Sequence, residues 1–425
     1  MLDSPSHRAA GLYIHVPFCA RKCEYCAFYS HAPDVHLVDR YVKALIQEID
    51  LVLAGQKPRT IFFGGGTPSL LTLQQWDKII SALGRLDLLG APEWTVECNP
   101  ATISSEKARF LRAAGVNRIS LGVQSLDETL LDRLGRIHSR EAVFKSFDLL
   151  RNAGFDNINL DLMFAIPGQT LEVWRKTLTE ATALQSEHLS CYEVIYEDDT
   201  PLFAQLQAGQ LRVNEDLACA MYDELLQFAA DRGYEQYEVA NFARRESGSL
   251  SEFPERGCRH NVNYWRGGSF HGLGPSATAY VGGARTKNWS NTVLYCERLE
   301  QGHRPIEWRE KLSPRARAGE TAAFGLRMNA GWPFALFHDT TGFDLREEWS
   351  AEMSEAVEKG LAWRDALRFR LTPLGLRFAD AVAENFLRPE PPLNPTPRES
   401  NFFHQDRPAA HATPSRAVSR AGRAG

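Results

Sequence analysis

A chain of 425 residues is too long for one ordinary compact core, so a large domain plus a smaller one is expected. With 44% hydrophobic and 24% charged residues the composition is that of a globular protein, and a net charge of -5 offers no basic face to a nucleic acid. No apolar window reaches the length of a transmembrane segment, the N-terminus lacks a secretory core, and the eight cysteines are not spaced as a disulfide framework, so a reducing, cytoplasmic setting is expected.

Residues 1–10 read as an N-terminal extension. Over residues 11–243, short β-rich runs alternate with helical patterns. The strands are expected at Leu12–Val16, Thr60–Phe63, Trp94–Glu97, Arg118–Leu121, Asn157–Leu160 and Leu189–Val194. The helices are expected at Tyr41–Leu53, Gln74–Leu83, Lys107–Ala114, Arg140–Ala153, Leu171–Leu184 and Asp216–Ala230. Strand-helix units in series predict an α/β fold, a parallel sheet curled as an incomplete (β/α)6 barrel, whose functional residues lie just past the C-terminal strand ends. Residues 244–257 are polar and breaker-rich and read as a mobile loop or linker. A smaller C-terminal helical and winged domain is expected over 258–388, with a hairpin at 361–371 feeding a last helix over Leu374–Leu387. Seven prolines in the 37 residues after Arg388 predict a disordered tail, 389–425.

Just past the first strand, Cys19, Cys23 and Cys26 form a C-x3-C-x2-C run. A structural zinc site wants four ligands, whereas three thiolates on a [4Fe-4S] cube leave one iron open. A zinc knuckle or scattered core thiols compete with that reading, but no fourth Cys or His follows in the loop. Past the second strand, Gly64-Gly-Gly-Thr-Pro68 lets backbone groups approach a ligand, although a tight connection would look the same. Glu97, Gln124 and Asp161 each fall at the end of a successive predicted strand. One alone would pass for a cap or a turn former, but three at matching ends point to a ligand. Arg136 suits pairing with a carboxylate, or is a solvated helix-end cation. In Cys258-Arg-His-Asn-Val-Asn-Tyr-Trp265, an imidazole beside large rings suits a porphyrin, while taken alone a turn with a satisfied side chain is the plainer reading.

Taken in order, Tyr13-Ile-His-Val-Pro-Phe-Cys, Gly64-Gly-Gly-Thr-Pro-Ser, Glu97-Cys-Asn-Pro, Gly122-Val-Gln-Ser, Leu134-Gly-Arg-Ile-His, Asn159-Leu-Asp-Leu-Met and Ile166-Pro-Gly-Gln-Thr resemble one branch of the radical S-adenosylmethionine (SAM) superfamily. The branch is that of the oxygen-independent coproporphyrinogen III oxidases and the HemW-type heme chaperones, and the resemblance runs from residue 11 to residue 387. It implies that Cys19, Cys23 and Cys26 hold a [4Fe-4S] cluster whose open iron chelates SAM, and that cluster reduction breaks the sulfonium bond to a 5′-deoxyadenosyl radical. It implies further that Tyr13, Gly65, Gly66, Thr67, Glu97, Gln124, Arg136 and Asp161 line the SAM site. The oxidases resemble C-x-C after the third cysteine, where this chain has Phe28. The run His260-Asn-Val-Asn-Tyr-Trp265 matches the H-N-x-x-Y-W motif of the chaperones, which places His260, Tyr264 and Trp265 at heme. A heme chaperone is therefore implied, with heme, an acceptor protein for it and an electron donor to the cluster as partners. An oxidase that decarboxylates propionate side chains is the alternative, and a non-catalytic scaffold stabilised by its cluster is the third reading. Whether SAM is cleaved, and by which catalytic residues, stays open. Ala165 departs from the pattern, standing where a glycine is usual.

Overall fold

Six strands run parallel and side by side: β1 (Gly11–Val16), β2 (Thr60–Gly65), β3 (Glu93–Cys98), β4 (Arg118–Gln124), β5 (Ile158–Phe164) and β6 (His188–Glu193). The computed structural model describes residues 11–249 and 251–388, so the expected extension and tail lie outside the described residues. Between the strands come α1 (Val35–Leu53), α2 (Leu73–Arg85), α3 (Ser105–Ala113), α4 (Glu128–Arg133), α5 (Arg140–Asn152) and α6 (Leu171–Ala183). The helices start where side chains satisfy free backbone donors. Asp34 accepts from the Leu37 N–H at the start of α1, and Thr72 with Gln75 closes a reciprocal capping box on α2.

Alternation along the strands sorts the side chains. Leu12, Ile14, Ile61, Phe63, Val96, Ile119, Leu121, Ile158, Leu160 and Leu189 join the helices in one core, each with no measurable exposure. Removing such a side chain from water is worth about 1.5–3 kcal/mol. The intervening positions face the other way, and there Ser120, Asn159, Asp161 and Ser190 bond to one another across β4, β5 and β6. One face of the curled sheet is thus apolar and helix-covered, and the other is a polar lumen.

The sheet does not stop at six strands. After α7 (Pro201–Gln207) and α8 (Glu215–Asp231), β7 (Tyr234–Glu238) and β8 (Asn241–Arg244) form a hairpin whose second strand pairs antiparallel with β6. After α9 (Arg259–Trp265), β9 (Phe270–Leu273) returns to pair parallel with β1, Gly11 opposite Phe270. Then β10 (Thr278–Val281), β11 (Ala284–Asn288) and β12 (Ile306–Glu310) extend the sheet to twelve strands. The domain boundary expected at 258 is therefore corrected: β9–β12 continue the barrel's own sheet. Nor is 244–257 a linker between domains, because it leads from β8 into α9, which precedes β9 of the same sheet. Its described residues are tied down by Arg245 on Glu235, Arg266 on Glu252 and Phe253 against Tyr237.

A second core gathers Trp332, Phe337, Trp349, Phe369 and Phe386 from residues that follow β12. It packs α10 (Pro314–Gly325) against a three-stranded antiparallel sheet of β13 (Trp332–Pro333), β14 (Ala362–Arg364) and β15 (Arg368–Leu371). The hairpin expected at 361–371 corresponds to β14 and β15. The expected last helix is broken at Phe378 into Pro373–Arg377 and Ala379–Glu384.

Candidate functional site

At the C-terminal end of the strands the polar lumen opens into a cavity of about 520 Å3. One wall is the loop after β1. Its backbone is pinned where the Cys19 N–H donates to the His31 carbonyl at 3.0 Å and the His31 N–H to the Pro17 carbonyl at 3.0 Å. Cys19, Cys23 and Cys26 all line the cavity with half-buried thiols. The Thr67 hydroxyl donates to Cys19 Sγ at 3.5 Å and Arg136 Nη1 to Cys23 Sγ at 3.4 Å. Burial pushes the Cys26 thiol up. Among the described residues no three His, Cys, Asp or Glu side chains converge on a point that would hold a metal ion. Three thiols on one cavity wall suit a cube that leaves one corner open. Arg136 Nε is buried at the same wall without a partner among the described residues, a donor for an incoming anionic group.

The glycine turn after β2 is stitched to the cysteine loop. The Gly66 N–H donates to the Val16 carbonyl at 2.8 Å and the Thr67 N–H to the Phe18 carbonyl at 2.7 Å. At Gly66 a Cβ would lie 2.6 Å from the Phe18 carbonyl oxygen, and at Gly65, with φ at 101°, it would lie 2.4 Å from His15 Cε1. The glycines are thus demanded by the chain's own close approach, and both also face the cavity.

Glu97 and Asp161 lie on the floor. Burial, reinforced by Asp161, pushes the Glu97 carboxyl up to about 8, although one oxygen accepts the Gly65 N–H at 3.2 Å. Burial also raises Asp161, against the opposing pull of Asn159, Ser120 and the buried Arg118. Asp161 does not end its strand as expected, since β5 runs on to Phe164. It reaches the cavity because its parity is that of the lumen. Gln124 closes β4 in the left-handed region, φ 63°, beside a register shift against β5 that re-aims its side chain into the cavity. Arg136 is less free than expected, because its Nη2 donates to the Gly122 carbonyl at 2.6 Å.

Tyr13 is not among the lining residues. Its ring stacks on Phe62 and its hydroxyl meets His15 Nδ1 at 3.1 Å. His260, Tyr264 and Trp265 stand on α9 against the N-terminal strand ends, opposite to the cysteine loop. His260 is 1% exposed, and both ring nitrogens are taken, Nδ1 by the Thr60 hydroxyl at 2.8 Å and Nε2 by the Tyr264 hydroxyl at 2.8 Å. Its ring stacks on Phe62 at 5.1 Å, and burial lowers its pKa to about 3. Tyr264 packs edge-on against His260 and Phe270, while Trp265 lies under the Arg327 guanidinium. Glu93, the first residue of β3, accepts the Arg259 and His260 N–H groups at 2.8 and 2.9 Å and anchors the helix start. These side chains plug the lower end of the barrel. Cys258 is closed as well, its buried thiol pushed up to about 12.

Sequence reasoning missed the buried chain that joins the two ends. Asn159 bonds Asp161 at 2.7 Å and His188 Nδ1 at 2.6 Å, His188 Nε2 meets the Tyr237 hydroxyl at 2.8 Å, and that oxygen accepts the Cys258 N–H at 3.0 Å. Polar residues at every second position of β4, β5 and β6 were the available signal.

Comparison with known proteins gives two family matches, the Radical SAM superfamily over residues 13–181 and the HemN C-terminal domain over residues 312–378. The chain is 33% identical to the heme chaperone HemW of Lactococcus lactis, covering 91% of this chain and 98% of that one. It is 34% identical to the Bacillus subtilis HemW over 88% and 98%, and 32% identical to that of Escherichia coli over 88% and 97%. Among solved structures, the E. coli coproporphyrinogen III oxidase HemN, a radical SAM enzyme, superposes with a TM-score of 0.76 at 22% identity, covering 89% of this chain and 90% of that one.

Proposed function

Because the chain belongs to the radical SAM superfamily, and within it to the HemW-type heme chaperones, we propose that it binds heme and passes it to an acceptor protein while holding a SAM-liganded [4Fe-4S] cluster. The observation that carries this is the match over nearly the full length of heme chaperones, together with Phe28 on the cavity wall where the oxidases resemble a further cysteine. Cys19, Cys23 and Cys26 would hold the cluster, which when bound with SAM supplies one-electron chemistry.

The rest is done by this chain's own side chains. Gly65, Gly66 and Thr67, whose N–H groups are spent on Glu97, Val16 and Phe18, would meet the methionine end of SAM through carbonyl oxygens, and Arg136 offers its unpaired Nε to an anionic group. Below about pH 8 Glu97 keeps a proton on its carboxyl, so the floor carries less negative charge than two carboxylates suggest. Gln124 and Asp161 provide the remaining polar wall. Cys98 is the fourth thiol on the cavity, and burial pushes it up to about 12. No helix among the described residues is long and apolar enough to cross a membrane, and a cytoplasmic site of action with an external electron donor completes the reading.

The test is anaerobic reconstitution followed by two assays. Hemin titration is expected to give a saturable Soret band, and incubation with reductant, SAM and coproporphyrinogen III is expected to leave that substrate unchanged. Formation of protoporphyrinogen would replace this reading with the oxidase.

A further inference from the structure

We propose that a second cavity, at the lower end of the barrel, receives the carboxylate edge of heme, with Arg59 and Arg259 as its charge partners and the macrocycle lying along α9 beside His260. This rests on the heme-chaperone reading above. The cavity holds about 690 Å3, within the roughly 300–1,000 Å3 of ordinary cofactor sites. Its wall is built from the starts of β1 and β2, the turn before β3, residues from 251 to 255 and one face of α9. Arg259, Val262, Asn263 and Arg266 recur on that face at helical spacing. Three guanidinium groups thus meet one cavity, and their bonding is incomplete. Arg59 and Arg259 are exposed, and neither side chain has a hydrogen bond or ion pair among the described residues. Arg266 spends Nη1 on the Gly331 carbonyl and Nη2 on Glu252, each at 2.7 Å, but its Nε is buried with no partner among the described residues. A buried donor left unpaired costs stability unless a ligand meets it. The one carboxylate in the wall, Glu255, is already taken by the Glu246 N–H at 3.0 Å and the Ser249 hydroxyl.

The occupant is constrained by spacing and polarity. Positions 259 and 266 are two helical turns apart, about 10 Å along the axis, too far for one small anion to bridge. Pro92, Phe253 and Val262 give the rest of the wall an apolar share. The ligand that fits carries separated acidic groups on an apolar body, and a flat macrocycle with two propionates has that form. Guanidinium and carboxylate meet in charge-assisted, bidentate pairs. The seat also lies next to the histidine. Thr60, in the wall, has its hydroxyl on His260 Nδ1 at 2.8 Å, and at Gly11, also in the wall, a Cβ would come within 3.2 Å of His260 Cε1. The bare Gly11 keeps the approach to the imidazole edge free of a side chain. Exposed arginines leave the carboxylates in touch with water, which suits a ligand that must depart again.

The experiment is hemin titration of the cluster-reconstituted full chain, with hemin dimethyl ester as the uncharged comparison. The wild type is expected to bind hemin saturably. The double variant Arg59→Glu with Arg259→Glu is expected to bind hemin roughly tenfold more weakly, with ester binding, melting temperature and iron content unchanged. Equal hemin affinity in the double variant, or equal weakening of both ligands, would overturn the arginine seat while leaving the chaperone reading intact, whereas no hemin binding by the wild type would overturn both. Should the glutamate pair lose its fold, Arg59→Gln with Arg259→Gln decides the matter. Weaker binding of hemin but not of its ester supports the seat, and equal behaviour of the two ligands overturns it.

Discussion

Replacing His260 with Ala separates a packing role from a ligand role. The imidazole is fully buried between Thr60, Tyr264 and the face of Phe62, so its removal leaves two buried hydroxyls without their partner and a void where the ring stacked. An unpaired buried polar group costs about 1–3 kcal/mol. Lost contacts around a cavity of this kind add about 2 kcal/mol or more. The sum is at least about 4 kcal/mol, which at roughly 2 °C per kcal/mol for a long chain lowers the melting temperature by about 8 °C. The loss depends on pH in a defined direction. His260 stays neutral down to about pH 3 in the fold but takes up a proton near 6.5 when unfolded. The stability it confers is therefore present above about pH 6.5 and is lost as pH falls toward 3, so variant and wild type should converge in that interval. Differential scanning calorimetry across pH, paired with hemin titration at a temperature where both are folded, measures this. An unchanged melting temperature combined with abolished hemin binding would refute the packing role and restore His260 as an iron ligand.

Ala165 sits at φ 55°, so Ala165→Gly should relieve left-handed strain and raise stability by about 0.5 kcal/mol net of the added freedom of glycine when unfolded, readable in a thermal melt. Gly66→Val should lower the melting temperature sharply rather than weaken SAM binding alone, because its Cβ would collide with the Phe18 and Val16 carbonyls; calorimetry beside a SAM titration tells the two apart. Glu97 binds its proton more tightly folded than unfolded, so wild-type stability should fall as pH rises from about 4.5 through about 8, and Glu97→Gln should flatten that slope in denaturant titrations. Replacing Cys19, Cys23 or Cys26 with Ser should cut iron and sulfide content after reconstitution, which elemental analysis decides.

The six parallel strands were legible because each carries an apolar alternation bounded by breakers, and because long amphipathic helices separate them. The lumen residues followed from the same alternation, which is why Glu97, Gln124 and Asp161 meet at one cavity although Asp161 is not at a strand end. By contrast, β9 and β10 are four residues each with mixed faces, and nothing local in Phe270–Leu273 announces that its partner is β1. The packing of the α9 residues was hidden for a related reason. An imidazole near two aromatic rings has the composition of a heme contact, but its partners Thr60 and Phe62 lie some two hundred positions away, and composition carries no information about pairing at that range.

The pairing of β9 with β1 also sets an order of events on the ribosome. The apolar segment Gly11–Val16 emerges long before Phe270–Leu273, and one side of it gains its hydrogen-bonding partner only when that later segment has been made. Through most of translation that side is an unprotected template for other strands. Premature termination anywhere before Phe270 would therefore release a chain with a permanently sticky flank. Such truncated products should depend on holdase chaperones or accumulate as inclusions, while the finished chain, once β9 has docked, needs neither.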